Sequence, residues 1–229
     1  MRFDAAGQAL GNFQANTFTT GIQNLPSVAM NSSGQFVIAW RSNDQDGAEF
    51  GIYAQRYAAD GSAVGAEFQV NTFTTGAQSG ASVAMGPDGR FVIVWTSAGQ
   101  DGSQSGVYAQ RYAADGTAAG SEFRVNTTTN DYQANPAVAI HSNGNFVVSW
   151  ESNNQDGDSY GVFAQRYNSE GLAQGAEFQV NTITSGSQSF PALAMMANES
   201  FGVVWQGHDI DGNNTGIAGK RFNAQGAAL

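Results

Sequence analysis

One loop returns four times carrying the oxygen-bearing side chains that hold a hard cation. It reads Asn43-Asp-Gln-Asp-Gly47, Ala98-Gly-Gln-Asp-Gly102, Asn153-Asn-Gln-Asp-Gly157 and His208-Asp-Ile-Asp-Gly212. Calcium loops place oxygen ligands at alternating positions, with a glycine at the sharp turn. Asp209, Asp211 and Asn213 show that alternation, as do Asn154, Asp156 and Asp158. Asp44 and Asp46 show part of it, and the second copy offers only Asp101 and Ser103. These positions make Ca2+ the expected cofactor. The competing reading is an Asx turn, in which aspartate accepts the backbone N–H two residues on and needs no metal.

A second set is neutral. Gln23, Gln78, Gln133 and Gln188 recur at a constant 55 residues, in step with Asn16, Asn71, Asn126 and Asn181. Planar amides recognise sugar hydroxyls, and Tyr57, Tyr112 and Tyr167 would give the aromatic face on which a sugar ring stacks. That makes the glutamines and tyrosines the expected glycan-binding residues. The alternative is that each amide braces a loop backbone from inside. Arg56, Arg111 and Arg166 are expected to pair across strands with Glu67, Glu122 and Glu177.

Catalytic chemistry finds less material. There is no cysteine, the histidines are His141 and His208, and neither recurs. A glycosidase needs only two carboxyl groups, but an acid repeated fourfold is more simply a turn residue. Asp158, Asp209 and His208 are the departures from the repeat that an active site would use. The expectation is that the chain is not an enzyme.

The elements that position these residues follow from the same period. Trp40, Trp95, Trp150 and Trp205 each end an apolar run such as Phe36–Trp40, the pattern of a strand buried on both faces. Flanking runs such as Pro26–Met30, Gly51–Tyr57 and Ala66–Asn71 complete four short strands per unit, with Asp60-Gly61 and Asp115-Gly116 as hairpin turns. Four-stranded units of about 50 residues stack as propeller blades. The expected fold is all-β: one domain over 1–229, a β-propeller of four blades with four antiparallel strands each. Leu10–Asn16 matches the strand that the last unit lacks, so this N-terminal strand is expected to close the ring.

The unit, with Glu67–Thr72, Phe91–Trp95 and Gln155–Gly157 as its most distinctive pieces, resembles tandem repeats of large secreted bacterial adhesin-like and RTX-type calcium-binding proteins. The resemblance implies a secreted or cell-surface location, a role in adhesion or carbohydrate contact, and no established enzymatic activity. Charge narrows the partners. At −10, the formal net charge repels nucleic acid and anionic lipid, and no stretch has the apolar length of a membrane span. The expected function is a non-catalytic, lectin-like binding module, calcium-assisted, acting as a monomeric ring on a glycan or cell-surface partner. The rivals are a spacer or protein-interaction platform, and a glycosidase.

Overall fold

The computed structural model describes residues 2–3, 6–208, 210 and 212–229. It contains strands and turns, and among the described residues no helix. The first sheet runs Gln23–Met30, Phe36–Asn43, Phe50–Tyr57 and Ala63–Gln69, each strand antiparallel to the one before. The second repeats this order with Gln78–Met85, Phe91–Ala98, Ser105–Tyr112 and Phe123–Arg124. The third uses Gln133–Ile140, Phe146–Asn153, Tyr160–Tyr167 and Phe178–Gln179. The fourth has three strands, Gln188–Met195, Phe201–His208 and Thr215–Phe222.

The outer strands of the second and third sheets are shorter than the sequence pattern suggests. Gly120 and Gly175 take φ of 89° and 80° there, as Gly65 takes 74° within Ala63–Gln69, so the left-handed bend is common to all three outer segments. The buried amides of Gln110 and Gln165 donate to the carbonyls of Gly120 and Gly175, at 3.0 and 3.2 Å.

Successive sheets stack face to face. Ile52, Ala54 and Val37 of the first pack on Phe91, Ile93 and Trp95 of the second. Val94, Val107 and Ala109 pack likewise on Phe146, Val148 and Trp150, and Val147, Val162 and Ala164 on Phe201, Val203 and Trp205. The four tryptophans are therefore core residues. Arginine ties each sheet to the next. Arg56, Arg111 and Arg166 donate to the carbonyls of Ala114, Ser169 and Ala224 in the hairpin of the following sheet, at 2.9, 2.8 and 2.7 Å. Each guanidinium lies over a glycine of that hairpin, Gly116, Gly171 or Gly226, where a Cβ would come within 3 Å of it. Glycine is needed there for the approach as well as for the turn.

Two expectations are corrected here. The sheets do not close into a ring: Ala9–Gly11 pairs with Arg2–Phe3 instead of with Thr215–Phe222. Nor do the arginines pair with glutamates. Glu67, Glu122 and Glu177 each accept the backbone N–H of a threonine near the start of the unit (Thr17, Thr72, Thr127), all at 2.6 Å, and a glutamine amide from the Asp-Gly loop. A carboxylate that can satisfy several donors at a strand end is held there more firmly than by an exposed arginine.

Candidate functional site

Every inner strand carries a bulge near its start, at Asn24/Ser27, Ser79/Ser82, Ala134/Ala137 and Ser189/Ala192. The bulged residue has positive φ in all four: Leu25 (50°), Gly80 (63°), Asn135 (51°) and Phe190 (52°). Only the second unit relieves this with glycine. Left-handed leucine and phenylalanine are strained, by about 1–3 kcal/mol each, and such strain concentrates at working sites. The bulges bring one adjoining pair from each inner strand to a common cavity of about 340 Å³, lined by Leu25, Pro26, Gly80, Ala81, Asn135, Pro136, Phe190 and Pro191.

Behind this lining stands the residue that follows each tryptophan: Arg41, Thr96, Glu151 and Gln206. Here the repeat is broken fully, and the third unit supplies the acid. Glu151 is 6% exposed. Its Oε1 accepts from Asn135 Nδ2 at 2.7 Å, and its Oε2 from the Phe190 N–H at 3.0 Å. Two of the residues that line the cavity thus hold the carboxyl behind the lining, between the third and fourth sheets. Burial raises its pKa above the ordinary glutamate value, against the lowering effect of those two hydrogen bonds. In the first unit Arg41 occupies the equivalent place, with Nε on Asn24 Oδ1 at 2.6 Å.

The third unit departs from the repeat at neighbouring positions too. Asp131 replaces glycine, Tyr132 is 46% exposed, and Tyr160 stands where the other units have Phe50, Ser105 and Thr215. Burial raises the Tyr160 phenol pKa, and Glu151, Tyr132 and Asp131 raise it further, so both carboxylates act on one phenol. Asp131 has φ of 63° and accepts from Asn154 Nδ2 at 3.2 Å.

The residues expected to bind ligand lie elsewhere. Gln78, Gln133 and Gln188 are fully buried. Their carbonyl oxygens accept from Asn71, Asn126 and Asn181 at 3.1–3.2 Å, and their amides donate to loop carbonyls. Gln23, half-buried, donates to Thr20 O at 2.7 Å. Amides spent this way hold the loop and cannot meet a sugar. Tyr57, Tyr112 and Tyr167 are not rim residues either, since their rings stack on Phe36, Phe91 and Phe146 at 4.7, 4.7 and 4.9 Å. Alternation put them on the inward face, packed against the preceding strand segment.

The Asp-Gly loops behave as turns where their bonding is visible. Asp46 and Asp101 accept the N–H groups of Ala48 and Ser103, both at 3.1 Å. Asp156 accepts from Asn181 Nδ2 at 3.0 Å, and Asp158 from the Gly186 N–H at 2.8 Å. The Asp44 N–H donates to Glu49 O, and Asn213 is exposed. Asp209 and Asp211 lie outside the described residues. Among the described residues, no group of three or more His, Cys, Asp or Glu side chains comes together. Sequence reasoning missed Glu151, Asp131, Tyr132 and Tyr160. Their signal in the sequence is a difference between units at positions 131, 132, 151 and 160.

No protein-family model and no curated protein matches the chain. Solved structures do. An endo-arabinase from Bacteroides thetaiotaomicron aligns over 90% of this chain and 78% of its own, with TM-score 0.57 and 15% identity. An α-L-arabinanase from Penicillium chrysogenum, complexed with arabinobiose, aligns over 90% and 66%, with TM-score 0.59 and 13% identity. A thermostable family-43 glycoside hydrolase aligns over 87% and 71%, with TM-score 0.50 and 13% identity. The fold is that of propeller-like all-β proteins. These likenesses also correct the expectation of a non-catalytic module that is no enzyme, because glycoside hydrolases are built on this arrangement of sheets. Among the described residues, no helix is long and apolar enough to cross a membrane.

Proposed function

We propose that the chain cleaves glycosidic bonds in a polysaccharide, with Glu151, held behind the lining of the cavity shared by the four inner strands, as the general acid. One observation carries the reading: of four equivalent positions behind the cavity, one holds a carboxyl, and burial makes that carboxyl keep its proton more readily. A protonated acid beside the leaving oxygen is what glycoside hydrolysis requires, together with a second carboxyl that acts as base or nucleophile. Asp131, which with Glu151 raises the Tyr160 phenol pKa, is the candidate for that second carboxyl, and Asn135 and the Phe190 N–H fix the acid's orientation. Exposed Phe190, which lines the cavity, offers a stacking face to a sugar ring, as does exposed Tyr132 of the unit that carries Glu151. The structural neighbours support a pentose polymer such as arabinan as the first substrate to try. Because polysaccharides are met outside the cell, a secreted or surface location belongs to the proposal.

The test is release of reducing ends from arabinan, xylan and a panel of other plant and bacterial polysaccharides. Glu151→Gln preserves size and its one amide oxygen can re-form one of the two accepted hydrogen bonds, and the variant, shown to be folded by its melt, should lose at least about 10²-fold in rate. Wild-type protein that is folded yet releases nothing from the whole panel would overturn the proposal. So would a Glu151→Gln variant of full activity.

A further inference from the structure

We propose that a cavity between the second and third sheets, at the end of the strands away from the bulges, binds the carboxylate of a small organic acid. The cavity has a volume of about 290 Å³. Arg90 and Arg111 line it together with Asp88, and Phe91, Val92 and Ile140 give it an apolar wall. Ile140 ends the inner strand whose bulge at Asn135 lines the shared cavity, so the two cavities lie at opposite ends of one strand.

Both guanidiniums are held in place without being used up. Arg111 Nη1 donates to Ser169 O at 2.8 Å, over Gly171. Arg90 Nε donates to Asp88 Oδ2 at 2.5 Å, and a Cβ at Gly144 would overlap its guanidinium. The two hairpin turns of the third sheet thus seat one cation each. Among the described residues, no protein acceptor meets either Nη atom of Arg90, or Nε and Nη2 of Arg111. Arg166, the equivalent of Arg111, spends its Nη2 on Gln174 O at 2.8 Å. Two guanidiniums against one carboxylate leave a single positive charge in the lining. Burial disfavours the charged form of Arg111, and exposed Glu170 offsets this in part, so a further anion beside it is favoured. One charge to neutralise and planar forks of donors select a planar monoanion, which a carboxylate is. The other units do not repeat the arrangement. Gln35, Asn145 and Ser200 stand at the place of Arg90, all uncharged. The corresponding cavity between the third and fourth sheets is lined by Arg166 and Glu199, so a carboxyl is already in its wall.

The test is isothermal titration calorimetry with glucuronate, and with glucose and inorganic sulfate for comparison. Glucuronate should bind with a Kd of about 1 mM or below, and glucose should not. Arg90→Gln installs the side chain that the first unit uses, where Gln35 approaches Gly89 as Arg90 approaches Gly144. It should melt as the parent does and bind glucuronate at least about 10-fold more weakly, the loss expected for hydrogen bonds to a charged group. Asp88→Asn keeps an acceptor for the Arg90 N–H, as Asn143 does for the Asn145 N–H at 2.9 Å. It removes the competing carboxylate and should tighten binding by about twofold or more. No glucuronate binding up to about 10 mM would overturn the proposal, as would glucose bound equally well or sulfate bound more tightly. Glucuronate affinity unchanged in Arg90→Gln, or weakened in Asp88→Asn, would overturn it too. The result is independent of Glu151 and of any hydrolytic activity.

Discussion

The carbonyl of Val180 is the place where the fourth unit solves a shared problem differently. In the third sheet, the buried Tyr167 hydroxyl donates to the equivalent carbonyl, Val125 O, at 3.1 Å. The fourth sheet has Phe222 there, with no hydroxyl, and Lys220 Nζ reaches Val180 O instead, also at 3.1 Å. Lys220→Ala leaves that carbonyl without its donor. An orphaned buried acceptor costs about 1–3 kcal/mol. Lys220 is only half-buried, so water can partly replace it, and a loss of about 1–2 kcal/mol is expected. For a chain of this length that lowers Tm by about 2–8 °C. The rescue is Phe222→Tyr. Phe222 meets Phe201 and Phe178 at 5.1 and 5.4 Å, and Tyr167 meets Phe146 and Phe123 at 4.9 and 5.4 Å, so a hydroxyl on Phe222 would fall on Val180 O. Urea and thermal melts of the two single variants and the double should show a coupling of at least about 0.5 kcal/mol. No loss in Lys220→Ala, or strict additivity in the double, would refute the claim that the two side chains serve one acceptor.

Two further outcomes follow from the same bonding. Asn126→Ala removes the acceptor of the Val107 N–H at 2.7 Å and the donor to Gln133, both buried, and the donor to half-buried Thr128 O, and should cost about 3 kcal/mol or more. Asn16→Ala, whose amide meets only Phe18 O among these partners, should cost about 1 kcal/mol; equal losses in urea melts would contradict the bracing role. The pH dependence of stability should carry Glu151. Its folded pKa is raised by burial, so the folded state holds its proton more tightly than the unfolded state does. Its contribution is therefore complete below the ordinary glutamate range and is lost as pH rises through the folded value. Wild-type stability relative to Glu151→Gln should fall across that window and level off above it, and a rise would show that the carboxylate form is the one the fold prefers.

The sequence by itself determined the repeat, the four strands per unit, the turns and the burial of the tryptophans. These rest on signals within one unit: apolar runs, alternation, and aspartate-glycine at fixed places. It misplaced the partners of the repeated charged residues, because those partners belong to other units or segments. Arg56 finds its acceptor on Ala114 in the next sheet, and Glu67 finds Thr17 in the segment before its own. Local reasoning paired the two with each other. The glutamines and tyrosines were legible as invariant, but whether an invariant amide faces solvent or the core depends on how sheets stack. Glu151 was legible only as a difference between units, and its meaning required the Phe190 N–H from the following sheet. Closure was likewise a tertiary matter. A matching strand sequence shows what can pair, but where the sheet edges lie in space decides what does. Here the repeat fixes each unit, and the stacking of units gives the charged and polar side chains their work.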